Sequence, residues 1–253
     1  MEAITSRQNP HFRKLQALHK REERDASGCF LVEGEKELSL VKEIEILYYE
    51  EITPATRDLF KKARESVKIS KELLEQISYR GCTAVAVCKS KLSSFNELSN
   101  QSLLLACEGI EKPGNLGAIL RTADGAGVGG LIVADPVVDV FNPNVVRASL
   151  GALFCLPIVQ TESEKALEFL EREHLQIIVT TPSATKLYYE VDFTKPTCIV
   201  IGSESKGLSP KWLKHKQAMG VKIPMMGHVD SLNASISASV VIYEALRQRS
   251  SLS

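Results

Sequence analysis

Three short stretches, far apart along the chain, carry residue types suited to binding and orienting a polar ligand. Near the C-terminus the sequence runs Ile223-Pro224-Met225-Met226-Gly227, then Ser231-Leu232-Asn233-Ala234-Ser235, then an apolar helix. The first amides of a helix have no internal partners. Ser231 is a suitable N-cap, and the glycine-, serine- and asparagine-containing loop beside it offers backbone and side-chain donors. Upstream, the strand Ile199-Val200-Ile201 opens into Gly202-Ser203-Glu204-Ser205-Lys206-Gly207, small and polar residues around one carboxylate. Loops at the C-terminal ends of parallel strands are where α/β folds bind ligands. The third stretch, Asn115-Leu116-Gly117-Ala118-Ile119-Leu120-Arg121, places Asn115 near a helix start and Arg121 on the second turn. Gly117 there allows close packing or close ligand approach. Each stretch also has an ordinary reading: a capped helix with a surface arginine, a turn in which Gly207 supplies positive φ, and one helix start among many.

The elements that must position these residues fall into two blocks. The first predicts helices over Pro10–Arg21, Glu35–Val41, Ala55–Arg64 and Lys71–Ile77, and strands over Phe30–Val32, Ile44–Tyr49, Val67–Ile69 and Ala84–Cys88. Alternation of strands and helices argues an α/β layer structure. A serine-rich stretch over 91–101 reads as a linker. The second block predicts strands at Leu103–Ala106, Leu131–Val133, Leu156–Val159, Ile177–Val179, Cys198–Ile201 and Val221–Ile223. Helices are expected over 116–126, 144–150, 164–173 and 232–249. Continuous apolar strands without alternation imply burial on both faces, hence a largely parallel sheet.

Length and composition set the bounds. The 253 residues suffice for one or two domains, and 44% hydrophobic with 25% charged residues is ordinary for a soluble globular protein. With 31 basic and 31 acidic residues the formal net charge is zero, so only a local patch would serve a nucleic acid. Arg7, Arg13, Lys14, Lys20, Arg21 and Arg24 supply a candidate patch, with a solvated helix face as the alternative. The six cysteines lack metal-ligand spacing, and Cys88, Cys107 and Cys198 sit in apolar runs. No metal site is expected. Residues 1–24 lack the apolar stretch of a secretory signal, and no run approaches membrane-spanning length, so a cytoplasmic protein is expected. Gly125-Ala126-Gly127-Val128-Gly129-Gly130 satisfies the dinucleotide pattern G-x-G-x-x-G. It follows a helix and precedes a strand, the reverse of the required order, so a nicotinamide oxidoreductase is excluded.

In order and spacing, the three stretches resemble the signature motifs of the SpoU/TrmH RNA ribose 2′-O-methyltransferases of the SPOUT superfamily: N-L-G-x-x-x-R-T-A, I-G-S-E-x-x-G-L and I-P-M-x-G-x-x-x-S-L-N-x-S. The run from Asn142 to Gly151 looks like the family's linking segment. Ser6-Arg7-Gln8-Asn9-Pro10 and Phe30-Leu31-Val32-Glu33-Gly34 are similar to its RNA-substrate-binding domain. A departure, Ile236-Ser237-Ala238-Ser239, touches helix packing only.

The resemblance implies an RNA substrate-binding domain at 1–90 and a SPOUT methyltransferase domain at 102–253, whose C-terminal part threads a trefoil knot. It implies S-adenosyl-L-methionine held by the loops at Gly202, Ile223, Met225, Gly227, Ser231 and Leu232, in a homodimer with the site at the subunit interface. Catalytic roles fall to Asn115, Arg121, Glu204 and Asn233, with Arg121 reaching across the dimer. Neutralising a guanidinium at pH 7 costs about 8 kcal/mol, so Arg121 is expected to grip phosphate and polarise the 2′-hydroxyl rather than act as a base. Arg7, Asn9, Lys14 and Arg24 are the expected RNA contacts. His228 is expected to be a loop residue and Trp212 a packing residue at a dimer or domain edge. The expected substrate is large-subunit ribosomal RNA. Transfer RNA is the closest alternative, and a non-catalytic RNA-binding protein the next.

Overall fold

The computed structural model of the protein describes residues 3–78 and 81–250, with Ala55 described by its backbone alone. The chain forms two compact units. The first holds a mixed sheet of β1 (Cys29–Glu33), β2 (Ile44–Tyr49), β3 (Ala63–Lys68) and β4 (Ala84–Lys89), in the order β1-β4-β2-β3. β4 runs antiparallel to β1 and β2, while β3 lies parallel to β2. Its helices are α1 (Pro10–Ala17), α2 (Arg21–Ser27), α3 (Glu35–Leu40), α4 (Pro54–Arg57) and α5 (Lys71–Ile77). Asn9 caps α1 by accepting from the His11 amide at 2.9 Å, Pro10 opens the first turn, and Phe12 and Leu15 are buried.

Two expected helices are shorter in the structure. The helix expected over Pro10–Arg21 stops at Ala17, and a separate α2 starts at Arg21. Between them, the carbonyls of Leu18 and His19 accept from the Arg24 guanidinium at 2.9 Å each. The helix expected over Ala55–Arg64 ends at Arg57, because Ala63 already pairs with Ile44 as β3 begins. That strand lies at the sheet's edge, and its polar face hides it from periodicity.

Arg24 corrects an expectation. It is 3% exposed, and its Nε and Nη2 donate to Asp139 Oδ2 at 2.8 and 2.7 Å. A buried, fully engaged guanidinium is a structural group and is withdrawn from the RNA contacts. Arg7 and Lys14 are exposed, as expected of a surface reader.

The second unit carries a six-stranded, wholly parallel sheet: β5 (Leu103–Glu108), β6 (Leu131–Ala134), β7 (Ile158–Thr161), β8 (Gln176–Thr180), β9 (Thr197–Ile201) and β10 (Ala218–Val221). Its order is β10-β8-β9-β5-β6-β7. The helices are α6 (Pro113–Gly125), α8 (Ser163–Arg172), α9 (Pro210–Leu213) and α10 (Ala234–Ser250). α7 (Pro143–Ser149) lies in the segment Asp139–Phe154, which belongs to the first unit. The serine-rich stretch expected as a linker is partly core: Leu98 is fully buried and Phe95 stacks on Phe169 at 4.6 Å. β5 and β9 are buried along their whole length, the two-faced burial that a central parallel strand demands. Gly127 has φ +68° just beyond α6, a left-handed helix end rather than a phosphate loop. Trp212 is fully buried in this core and not at an edge. Burial pushes the Cys107 thiol up to about 12. Among the described residues, no helix is long and apolar enough to cross a membrane, and no group of three His, Cys, Asp or Glu side chains is placed to hold a metal ion.

Candidate functional site

β8 pairs with both β9 and β10, so their C-terminal ends lie side by side. The loops beyond Thr180, Ile201 and Val221 line a cleft of about 330 Å³. Gly202, Glu204, Ile223, Met225, Ser231 and Leu232 all line it. Gly227, assigned with them from sequence, is exposed and does not. Residues 180–182, at the tip of β8, line the cleft and were missed by the sequence reading. The signal was present in Thr180-Thr181-Pro182, a polar turn ending a buried parallel strand.

The loop after β9 is held in a tight reverse path. The Ser203 and Gly207 backbones exchange hydrogen bonds, with N–H···O distances of 3.2 and 3.0 Å, and Gly207 sits at φ +64°. A Cβ added at Gly202 would collide with the backbone of Gly207 and Leu208. Backbone cannot step aside as a flexible side chain can. Gly202→Ala is therefore expected to destabilise the protein by about 1–3 kcal/mol, read as a lower denaturant midpoint. An unchanged midpoint would show that the loop relaxes freely.

A row of side-chain amides orders the rim. Asn233 Oδ1 accepts from the Ser235 amide at 2.9 Å, which makes Asn233, not Ser231, the N-cap of α10. With its oxygen so engaged, its Nδ2 donates to Asn115 Oδ1 at 3.2 Å. Asn115 Nδ2 then donates to Glu204 Oε1. The orientation of each amide fixes the next, ending on a carboxylate acceptor. Glu204 Oε2 is buried and meets no donor among the described residues. An acceptor of this kind suits a bound ligand rich in hydrogen-bond donors.

Arg121 stands apart from this row. Six helical steps separate it from Asn115, which turns it about 120° away around α6. It is exposed, does not line the cleft, and makes no hydrogen bond or ion pair among the described residues. On the neighbouring face, Thr122 Oγ1 and Ser239 Oγ lie 3.0 Å apart and tie α6 to α10. His228 is exposed in the loop, as expected.

Residues 102–243 match the SpoU rRNA Methylase family, and residues 9–86 match the MRM3-like substrate binding domain. The chain is 34% identical over 266 residues to the 23S rRNA (uridine(2479)-2′-O)-methyltransferase of Streptomyces viridochromogenes, spanning 97% of this chain and 92% of that protein. The crystal structure of the SpoU methyltransferase AviRb from Streptomyces viridochromogenes in complex with the cofactor AdoMet superposes with a TM-score of 0.88 at 31% identity, covering 96% of this chain and 99% of that one. The AdoMet-bound rRNA methyltransferase from Sinorhizobium meliloti superposes with a TM-score of 0.89 at 26% identity, covering 97% of both chains. Motif residues, fold and cleft agree with these matches, and the chain belongs to the SpoU rRNA methylase family.

Proposed function

We infer that the protein is an S-adenosylmethionine-dependent methyltransferase acting on a ribose 2′-hydroxyl in RNA, with large-subunit ribosomal RNA as substrate. The observation that carries this reading is the hydrogen-bonded row Asn233–Asn115–Glu204 at the rim of a cleft built from three adjacent strand ends. The cleft suits the cofactor. Ile201, Leu208, Val221 and Ile223 give aliphatic walls for an adenine ring, while Glu204 and Asp230 against Lys206 leave a net negative charge for a cation. When bound, S-adenosylmethionine supplies a methyl group on a positive sulfur that departs neutral.

The remaining work falls to this chain's side chains. Asn115, its orientation set from both sides, positions the ribose hydroxyl. Arg121 grips an adjacent phosphate and polarises that hydroxyl across a two-fold axis, with its charge retained. A homodimer has a natural seam on α10, where Ile236 and Tyr243 are 50% and 51% exposed and seven residues apart on one face. The proposal includes a trefoil knot in the C-terminal part, and the strand order, in which the chain passes from β9 back across β8 to β10, is compatible with it. Residues 1–90 serve as the RNA reader and 102–253 as the methyltransferase, working in the cytoplasm.

The test is a calorimetric titration with S-adenosylmethionine, followed by mapping of 2′-O-methyl groups in RNA treated with the protein. Absence of binding at millimolar cofactor would leave the non-catalytic reading. Methylation of transfer RNA but not of large-subunit RNA would reassign the substrate. Replacing Arg7 and Lys14 together by glutamine is expected to weaken RNA binding and lower the slope of log affinity against log salt by about 0.7 per lost single-strand phosphate contact. An unchanged slope would remove both residues from the interface.

A further inference from the structure

Beneath the cleft loop lies a buried polar cluster that the reaction does not use. Glu108, the last residue of β5, is 6% exposed within an otherwise apolar core. Its Oε2 accepts from the Ser209 amide at 2.6 Å, and its Oε1 lies 3.1 Å from the Ser163 hydroxyl. Ser163 Oγ accepts from Trp212 Nε1 at 2.9 Å. The Ser163 hydroxyl also lies 2.7 Å from Asp135 Oδ2, and its amide donates to Asp135 Oδ1 at 3.2 Å. Three strand-end or helix-start residues, Glu108, Asp135 and Ser163, thus converge on Ser209 and Trp212.

Placement gives the cluster its meaning. Leu208 lines the cleft, and Ser209 is the next residue. The loop 202–208 is fixed at its start by β9 and in its middle by the Ser203–Gly207 pairing. At its exit the fixed point is the Glu108 carboxylate, with the Trp212 indole holding the first turn of α9 to the same hydroxyl. Buried charged groups of this kind generally stabilise less than apolar packing of the same volume. A well-satisfied one imposes a single register on the backbone it grips.

We propose that Glu108 is a positioning residue for the cofactor: through the Ser209 amide it holds the loop 202–208 in the shape that the cleft requires. This rests on the methyltransferase reading, and its test includes a measurement that needs no ligand. Glu108→Ala leaves the Ser209 amide unpaired and is expected to speed hydrogen exchange across 202–209 and raise the S-adenosylmethionine dissociation constant, each by about tenfold. Turnover at saturating cofactor should fall by a smaller factor than the affinity, because bound cofactor re-imposes the loop shape that keeps Glu204 on Asn115. Glu108→Gln, which keeps an acceptor for Ser209, should restore both values. Ser163→Ala should shift them in the same direction by a smaller factor, and it carries the test if Glu108→Ala does not fold. Fast loop exchange with unchanged cofactor affinity, or an unchanged protected amide, would overturn the proposal. A wild-type protein that binds no cofactor would remove the functional reading and leave the exchange result standing.

Discussion

Arg121→Ala is expected to lower kcat by about 10²–10³-fold while leaving S-adenosylmethionine affinity within about threefold. The split follows from geometry. Arg121 does not line the cleft, so its removal costs the cofactor no contact. It is exposed and unpaired among the described residues, so stability should move by no more than about 0.5 kcal/mol. Arg121→Lys should recover only part of the rate, because an ammonium cannot present the paired donors of a guanidinium to a phosphate. Action across the two-fold axis has its own test in mixed dimers. One protomer carries Arg121→Ala, and the other carries a cleft substitution that abolishes cofactor binding. Such dimers retain one working site only if the arginine serves its neighbour. Inactive mixed dimers would place Arg121 in its own protomer's site. Equal losses in rate and cofactor affinity for the single variant would make the residue structural.

Arg24→Ala is expected to cost about 3–5 kcal/mol, the range for leaving one member of a buried ion pair behind. Asp139 would be left at 12% side-chain exposure without its 2.7 Å partner, and the carbonyls of Leu18 and His19 would lose their donor. Chemical denaturation reads the loss directly. Replacing both partners by apolar residues, Arg24→Met with Asp139→Leu, should cost less than either single change, since no charge remains stranded. A single substitution that leaves the midpoint in place would mean that the pair is solvated in solution. Salt dependence of RNA binding gives the contrasting readout: it should respond to Arg7 and Lys14 and stay unchanged in a stable Arg24 variant.

The contrast between Arg24 and Arg121 shows what was legible in the sequence. The placement of Arg121 beyond the first turn of α6 was legible, because a helix start and a six-residue offset are written within one stretch. Arg24 was misassigned because its partner lies 115 residues further on, and no local pattern reveals a pairing of that range. The cleft was legible as three loops after apolar strands, since burial on both faces leaves a continuous hydrophobic run. Thr180 and Thr181 were overlooked because the strand order that brings β8 beside β9 depends on pairing, not on composition. Assigning the α10 cap to Ser231 failed for a related reason. Both serine and asparagine suit such a position, but the helix opens at Ala234, and the Asn233 side chain that caps it is also held by Asn115, 118 residues away along the chain. The polar edge strand β3 and the first-unit membership of Asp139–Phe154 were likewise set by distant partners.

The strand order has a consequence for biosynthesis. Among the described strands β9 alone joins β8 to β5, so a growing chain that has emerged as far as Thr180 holds the β5-β6-β7 piece with β8 still unjoined to it. Until residues 197–201 appear, β5 presents an open apolar edge, and the nascent protein is exposed to premature self-association. Emergence of residues 197–250 supplies the missing central strand and the remaining walls of the ligand cleft together, so folding on the ribosome can be followed by the onset of cofactor binding.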